Sequence, residues 1–576
     1  MAIFGKYKKQ THKINETGRR DVRRQNIFQL VAGIAIIVAL NAFGAVWFAR
    51  FDLTSEKRFT LTHGTRNMLR QLDDIVYFRV YLEGDFPAGF KRLSNQTREI
   101  LDEFRAFSDK IQYEFINPVQ GQGSQGMVDM LIQKGLQPTR LQVRADDATS
   151  QQIIFPGALV TYRGKEIALQ LLQDQIGKPA EEVLNNSAQA LEYNLATAIR
   201  QLTTTQKEKV ALLEGQGELN PRHLADLAAS LGNFYLVERI SIDNNIDEIL
   251  GFRTLIVAKP EKPFTEPQKF IIDQYIMHGG SVLWLIDPVF ASMDSLKPPA
   301  FQSIGMPWPI NLDDMLFRYG VRLNPNLLMD LRAAPIPVTT GMIGNRPQIN
   351  LLPWFFFPLA EPSYNHKITR NLNLIRTEFA SSIDTVTAPG VEKTILLSTS
   401  PYTRVVATPA EIALRILQQQ PDERQFSAGQ QNIAVLLEGT FESVFRNRMA
   451  PEVKLPAGFR RLEQSLHTAM IVVADGDIAR NQTGADGQPL PLGFDRFSNS
   501  TFANRDFILN AVNYLSDDSG ILEARAKDMR LRMLDRTRLN RSRNHIQIVN
   551  IIVPVLIVIV FGSIRLLWRK RLYSAK

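Results

Sequence analysis

The chain has 576 residues, enough for roughly three or four domains with buried cores. It contains no cysteine, which excludes disulfides, a thiol nucleophile, cysteine-ligated zinc and iron–sulfur clusters. The net charge of +9 sits at the ends, +6 on residues 1–26, +5 on 523–543 and +5 from Arg565 onward; the remainder carries −7, so a nucleic-acid-binding domain loses its electrostatic support.

Residues 1–26 form a basic leader, and Ile27–Ala49 follows without a formal charge. That length exceeds the roughly 20 apolar residues needed to cross a bilayer and the about 7–15 of a cleavable signal core. Trp47, Phe48 and Arg50 crowd the exit, so the segment reads as an uncleaved transmembrane helix, residues 27–49. Residues 50–185 read as a small α/β domain. Ile75–Leu82 alternates as a strand, Ser94–Phe107 is helical with Ser94 as its N-cap, and Ile111–Ile116 and Ala158–Tyr162 are further strands. Residues 186–205 hold a linking helix over Ala188–Leu202.

The second α/β unit begins in residues 206–289. Lys209–Glu214 and Thr254–Ala258 are apolar runs of the kind buried in parallel sheets. Pro221–Leu231 is helical, and Thr265 to Gln268 forms a capping box that starts a helix running to His278. Ser281–Ile286 is the next strand. Strands alternating with helices predict a doubly wound parallel sheet. Residues 290–430, richer in proline, read as an insertion or extra lobe. The sheet resumes over 431–522 with Ile433–Glu438 and Met470–Ala474, then helix Arg505–Leu515. Residues 523–545 form a basic juxtamembrane arm, 546–568 a second transmembrane helix ending at Trp568, and 569–576 a tail.

Two spans put both termini on one side, and the basic leader makes that side cytoplasmic. The arm then lies outside, with Arg532, Arg536, Arg541 and Arg543 as candidate contacts to phospholipid or a partner; a solvated helix leading into the span is the other reading. No motif carries chemistry. Gly164-Lys165 lacks a phosphate loop's spacing and its hydroxyl, and the seven histidines are scattered. Gly215–Glu218 reads as a tight turn more readily than as an anion cradle. Asp475 and Asp477, with Asn481 and Asp486 beyond, lack the spacing of an EF-hand loop. No cofactor or metal is expected.

Arg58-Phe59-Thr60-Leu61-Thr62, residues 84–93 (GDFPAGFKRL), Asp273 to Gly280 (DQYIMHGG), Met315 to Val321, Leu436-Leu437-Glu438-Gly439 and Asp475 to Asn481 (DGDIARN) resemble the GldG family of gliding-motility ABC-transporter proteins of Bacteroidota. Residues 507–510 and 513–515 extend the likeness over nearly the whole chain. The resemblance implies a non-enzymatic auxiliary, substrate-binding-like subunit in the inner membrane. It would work beside a multi-span permease and a cytoplasmic ATPase, with a large periplasmic body that docks a periplasmic or secreted partner or substrate. It also implies a class I glutamine-amidotransferase-like fold over 209–515, without the catalytic cysteine of the enzymes. Candidate ligand or partner contacts are Glu218, Asp287, Asp475 and Asp477. The alternative is a membrane-tethered hydrolase of glycan or peptide using carboxylates at strand ends.

Overall fold

The computed structural model describes residues 16–46, 60–119, 124–145, 148–173, 179–204, 206–296, 301–344, 346–516, 520–526 and 536–574. It divides into two compact units, Met1–Thr60 and Leu61–Lys576. The first contains helix Glu16–Val46, whose apolar stretch is Ile27–Ala42. The end of the expected first span, residues 47–49, lies outside the described residues.

The second unit starts with a four-stranded sheet in the order Ile111–Phe115, Val76–Val80, Gly157–Tyr162, Lys165–Gln170. Its first pair is parallel and the others antiparallel. Helix Ala88–Phe107 crosses over between the parallel strands, as that pairing requires. Phe90, Leu93, Thr97, Leu101 and Phe104 recur every three or four residues and are buried. Ser94 is not its cap: the helix begins six residues earlier, after Pro87, and the Ser94 hydroxyl donates to the Leu82 carbonyl at 2.7 Å. The linking segment is two helices, Ala180–Gln189 and Leu191–Thr203.

The large sheet runs Leu236–Ser241, Lys209–Glu214, Thr254–Ala258, Ser281–Leu285, Thr468–Val473, Asn432–Gly439, Val391–Ser398, Arg346–Pro362, Ala333–Ile343. The first five strands are parallel. Helix Glu266–Met277 covers one face; Ala225–Gly232 and Asn504–Ser516 cover the other. The Thr265–Gln268 capping box is present. From Asn432–Gly439 onward the pairing is antiparallel, so the sheet is mixed and not the uniformly parallel one expected. No helix intervenes between Asn432–Gly439 and Thr468–Val473 among the described residues, and without a crossover two neighbouring strands run antiparallel. Nor do residues 290–430 form a lobe apart from the sheet, since they supply its strand Val391–Ser398 and the terminal hairpin.

That hairpin has a buried base and an exposed tip. Trp354, Phe356 and Phe357 pack at the base, while Met342, Ile349 and Leu351 lie open to solvent. Pro335 opposes Pro353; neither has an N–H, so the ladder skips a bond there.

The two ends of this unit's folded part meet. Segment 521–526 packs on helices His63–Arg70 and Leu191–Thr203, and the Gly64 Cα is 3.8 Å from where a Cβ on Gly520 would stand. Arg525, counted above in the basic arm, is buried instead: its Nε donates to the Arg370 carbonyl at 2.9 Å and its Nη1 to Asn510 at 3.2 Å. Helix Arg536–Ser574 contains Ile546–Trp568, a stretch of 23 residues long and apolar enough to cross a membrane. At 1.5 Å per residue it spans about 34 Å, against a hydrocarbon core of about 30 Å.

One glycine tests the antiparallel extension. Gly439 has φ +138°, and a Cβ there would sit 2.0 Å from the Gly390 carbonyl oxygen. Gly439→Ala is expected to cost more than about 2 kcal/mol, read as a lower urea midpoint of the full-length protein in detergent.

Candidate functional site

Three parallel strands end side by side and each delivers a charged residue just beyond its last position. Thr254–Ala258 is followed by Lys259, Ser281–Leu285 by Asp287, and Thr468–Val473 by Asp475 and Asp477. All four side chains are buried. Lys259 Nζ lies 3.1 Å from Asp287 Oδ2 and also pairs with Asp477 Oδ2. The Gly476 N–H donates to the other Asp287 oxygen. Asp475 accepts the N–H of Asp477 at 2.8 Å and of Glu378 at 2.9 Å, which ties segment 376–381 to the strand ends. Lys259 occupies the left-handed region, φ 56°, and a Cβ on Gly476 would stand 2.7 Å from the Lys259 Cβ. Only glycine lets the two chains approach this closely.

The charges respond to confinement. Burial opposes the Lys259 charge, but Asp287 and Asp477 outweigh it and hold the amine above the usual lysine range. Burial raises Asp287 to about 6, with Asp477 adding to the rise and Lys259 opposing it. Asp475 is pushed well above the carboxylate range by burial and by the neighbouring acids. His223 is lowered by burial and by Arg480 and Lys259, which favours the neutral ring.

Beside this cluster opens a pocket of about 360 Å³. Its polar wall carries Arg376, Arg480, Arg496, Glu378, Asp294 and Asp477; its apolar wall includes Met293, Phe357 and Phe497. Ile336 and Pro337, from the base of the long hairpin, close one side. Phe379, also in the lining, has φ 55°, so two bulky residues with left-handed backbones occur at one site. The pocket lies at the carboxyl ends of the parallel strands, where open α/β sheets bind ligands.

Of the four acids singled out in the sequence, Asp287, Asp475 and Asp477 converge. Glu218 does not join them: it stands on the neighbouring turn after Lys209–Glu214, where one oxygen accepts the Gln216 N–H at 2.8 Å and the other is buried without a hydrogen-bond partner among the described residues. Burial, with Glu214 nearby, raises its pKa. Among the described residues no three His, Asp or Glu group as metal ligands. Arg532 lies outside the described residues; Arg536, Arg541 and Arg543 fall at the start of helix Arg536–Ser574. Lys259, Arg376, Arg480 and Arg496 were not anticipated. Lys259 had one signal, a lysine directly after the fully apolar run LIVA and before a proline.

Comparison with known proteins points to transport. The family described as an ABC-type uncharacterized transport system matches residues 207–511, and a domain family of unknown function (DUF7088) matches residues 55–161. An uncharacterized protein of Borreliella burgdorferi is 22% identical over 320 residues, 54% of this chain and 58% of that protein's length. The mmIFT52 N-terminal domain, a solved structure, aligns with 54% of this chain and 98% of its own length at 12% identity and a TM-score of 0.31, too slight a likeness to assign a fold.

The cluster makes two predictions. Lys259→Met strands two buried acids without their shared cation and is expected to cost about 3–5 kcal/mol in urea unfolding. Asp475→Asn keeps one acceptor oxygen but turns an NH2 group toward the second backbone N–H, and is expected to cost about 1–3 kcal/mol. Asp287 has a folded pKa raised from 3.8 to about 6. Its contribution to stability is therefore full below about pH 4 and lost as pH rises through 6, and Asp287→Asn should flatten that part of the stability profile.

Proposed function

The chain belongs to the family described as an ABC-type uncharacterized transport system, and we propose that it is a non-enzymatic auxiliary subunit of an ABC transport complex. In this reading two helices, residues 27–49 and 546–568, anchor it in the inner membrane. Both termini are cytoplasmic, and the α/β body between them is periplasmic. A separate permease and ATPase complete the complex. The link to gliding motility, the GldG assignment and the amidotransferase-like fold rest on the residue resemblance described above.

The observation that carries the reading is where the body's chain ends leave. Gly520 and Leu522 border the same pocket as Arg253, Ser281 and Thr468, residues at the amino ends of the parallel strands, and Gly64 stands beside Gly520. The described residues at the start and end of the body, around Gly64 and over 520–526, thus lie at one end of the sheet. The Lys259 cluster and its pocket lie at the other end, at the carboxyl ends of the same strands.

The raised carboxyls of Asp287 and Asp475 favour a hydrolase, but both are buried and their oxygens are taken by Lys259 and backbone N–H groups, which leaves neither of these two acids free to meet a substrate. They brace the fold.

Purification of the full chain in mild detergent is expected to recover a multi-span permease and an ATPase; their absence counts against the reading. Because the chain has no cysteine, single-site labelling is clean. A membrane-impermeant maleimide should label Gln420→Cys on intact spheroplasts and Ser574→Cys only after lysis. Labelling of both before lysis contradicts two spans.

A further inference from the structure

In the pocket at the carboxyl ends of the strands two of the three wall acids are paired with cations, while arginine N–H donors remain unused. Asp477 uses one oxygen on Lys259 and the other on Arg480, at 3.4 Å. Glu378 pairs with Arg376 at 2.7 Å. Asp294, the third acid on the wall, acts electrostatically on Arg480. A guanidinium presents five N–H donors in a rigid fork. Arg496 donates to the Thr483 carbonyl at 2.8 Å and lies over the Phe497 ring at 4.6 Å, with no acid at ion-pair distance among the described residues. Arg480 makes its one ion pair at the long distance of 3.4 Å, and Arg376 Nε is buried with no hydrogen-bond partner. His223, whose pKa burial lowers, lines the same space.

We propose that this pocket binds a small organic carboxylate, with the carboxylate oxygens taken by the guanidinium groups of Arg480 and Arg496 and the ligand body resting against Met293, Ile336 and Phe497. The three acids on the wall offset the three arginines, so recognition is a short-range match of fork to carboxylate more than a long-range attraction. At about 360 Å³ the space is near the lower limit of small-molecule sites, which suits one sugar acid or one terminal residue and admits a polymer only by its end. The inference rests on this pocket being the body's ligand site and not on the permease partnership. Loss of carboxylate binding would leave co-purification untouched, and failed co-purification would leave carboxylate binding untouched.

The test uses the full chain in detergent and two matched pairs of probes in calorimetry: glucuronate with glucose, and N-acetylphenylalanine with its amide. At least one carboxylate should bind, and its neutral counterpart about tenfold or more weakly. Preference for glucuronate identifies a sugar acid as the source, and preference for N-acetylphenylalanine a peptide end. Arg496→Gln, at an exposed position and expected to leave the melting temperature unchanged, and Arg480→Gln should each weaken that binding about tenfold, while Arg448→Gln, outside the pocket, should not. The proposal is overturned by equal binding of acid and neutral probe, by binding that survives both arginine variants, by inorganic phosphate binding as tightly as the carboxylates, or by no binding of any probe at about 10 mM.

Discussion

Lys259 carries one positive charge into a place where two carboxylates need it. Its amine pairs with Asp287 from the next strand and Asp477 from the strand after, so one cation ties together the carboxyl ends of three neighbouring strands. Removing Lys259 would leave two buried carboxylates without their shared cation, whereas removing either aspartate leaves the lysine one partner. Asp475, whose pKa burial and the neighbouring acids push up, uses its oxygens on backbone N–H groups and fastens segment 376–381 to the sheet. The pocket wall is built on that frame: Arg376, Glu378 and Phe379 come from the fastened segment, Arg480 from the turn after Asp477. The left-handed backbones at Lys259 and Phe379 persist because the surrounding contacts over-determine them.

The strands of the parallel half were legible because burial on both faces leaves an unbroken apolar run, as in KVALLE and TLIVA, and the helix at Glu266–Met277 because its capping box is local. Leu236–Ser241 was not, since an edge strand reading LVERIS has charge at its centre and no apolar period. Strand direction was not legible either. The run IAVLL is as apolar forward as backward, and its polarity depends on what connects it to Thr468–Val473. The acids of the site stood out by position, at strand ends. Its arginines did not, because Arg376, Arg480 and Arg496 are dispersed in irregular segments that only the tertiary fold brings to one cavity.

The two ends of the body's sheet are built differently. At the amino ends of the parallel strands, segment 521–526 and helix His63–Arg70 pack together, and buried Arg525 anchors the exit to the Arg370 and Asn510 region. At the carboxyl ends lie the Lys259 frame and the pocket, with the base of the long hairpin forming part of its wall. The body thus keeps the described ends of its chain at one end of the sheet and the strand-end pocket at the other, the arrangement that the proposed role as a transport-complex subunit uses. It also explains the charge pattern: a chain at +9 overall keeps its excess basic residues next to its apolar helices and leaves the intervening body acidic.

The most direct measurement of that polarity is depth. In a chain without cysteine, a single fluorophore can be placed at Glu523→Cys, near the exits, or at Asn499→Cys, near the strand-end pocket, with the protein reconstituted in vesicles carrying a headgroup quencher. The account predicts strong quenching at position 523 and little at 499. Equal quenching at both positions, or stronger quenching at 499, would contradict it.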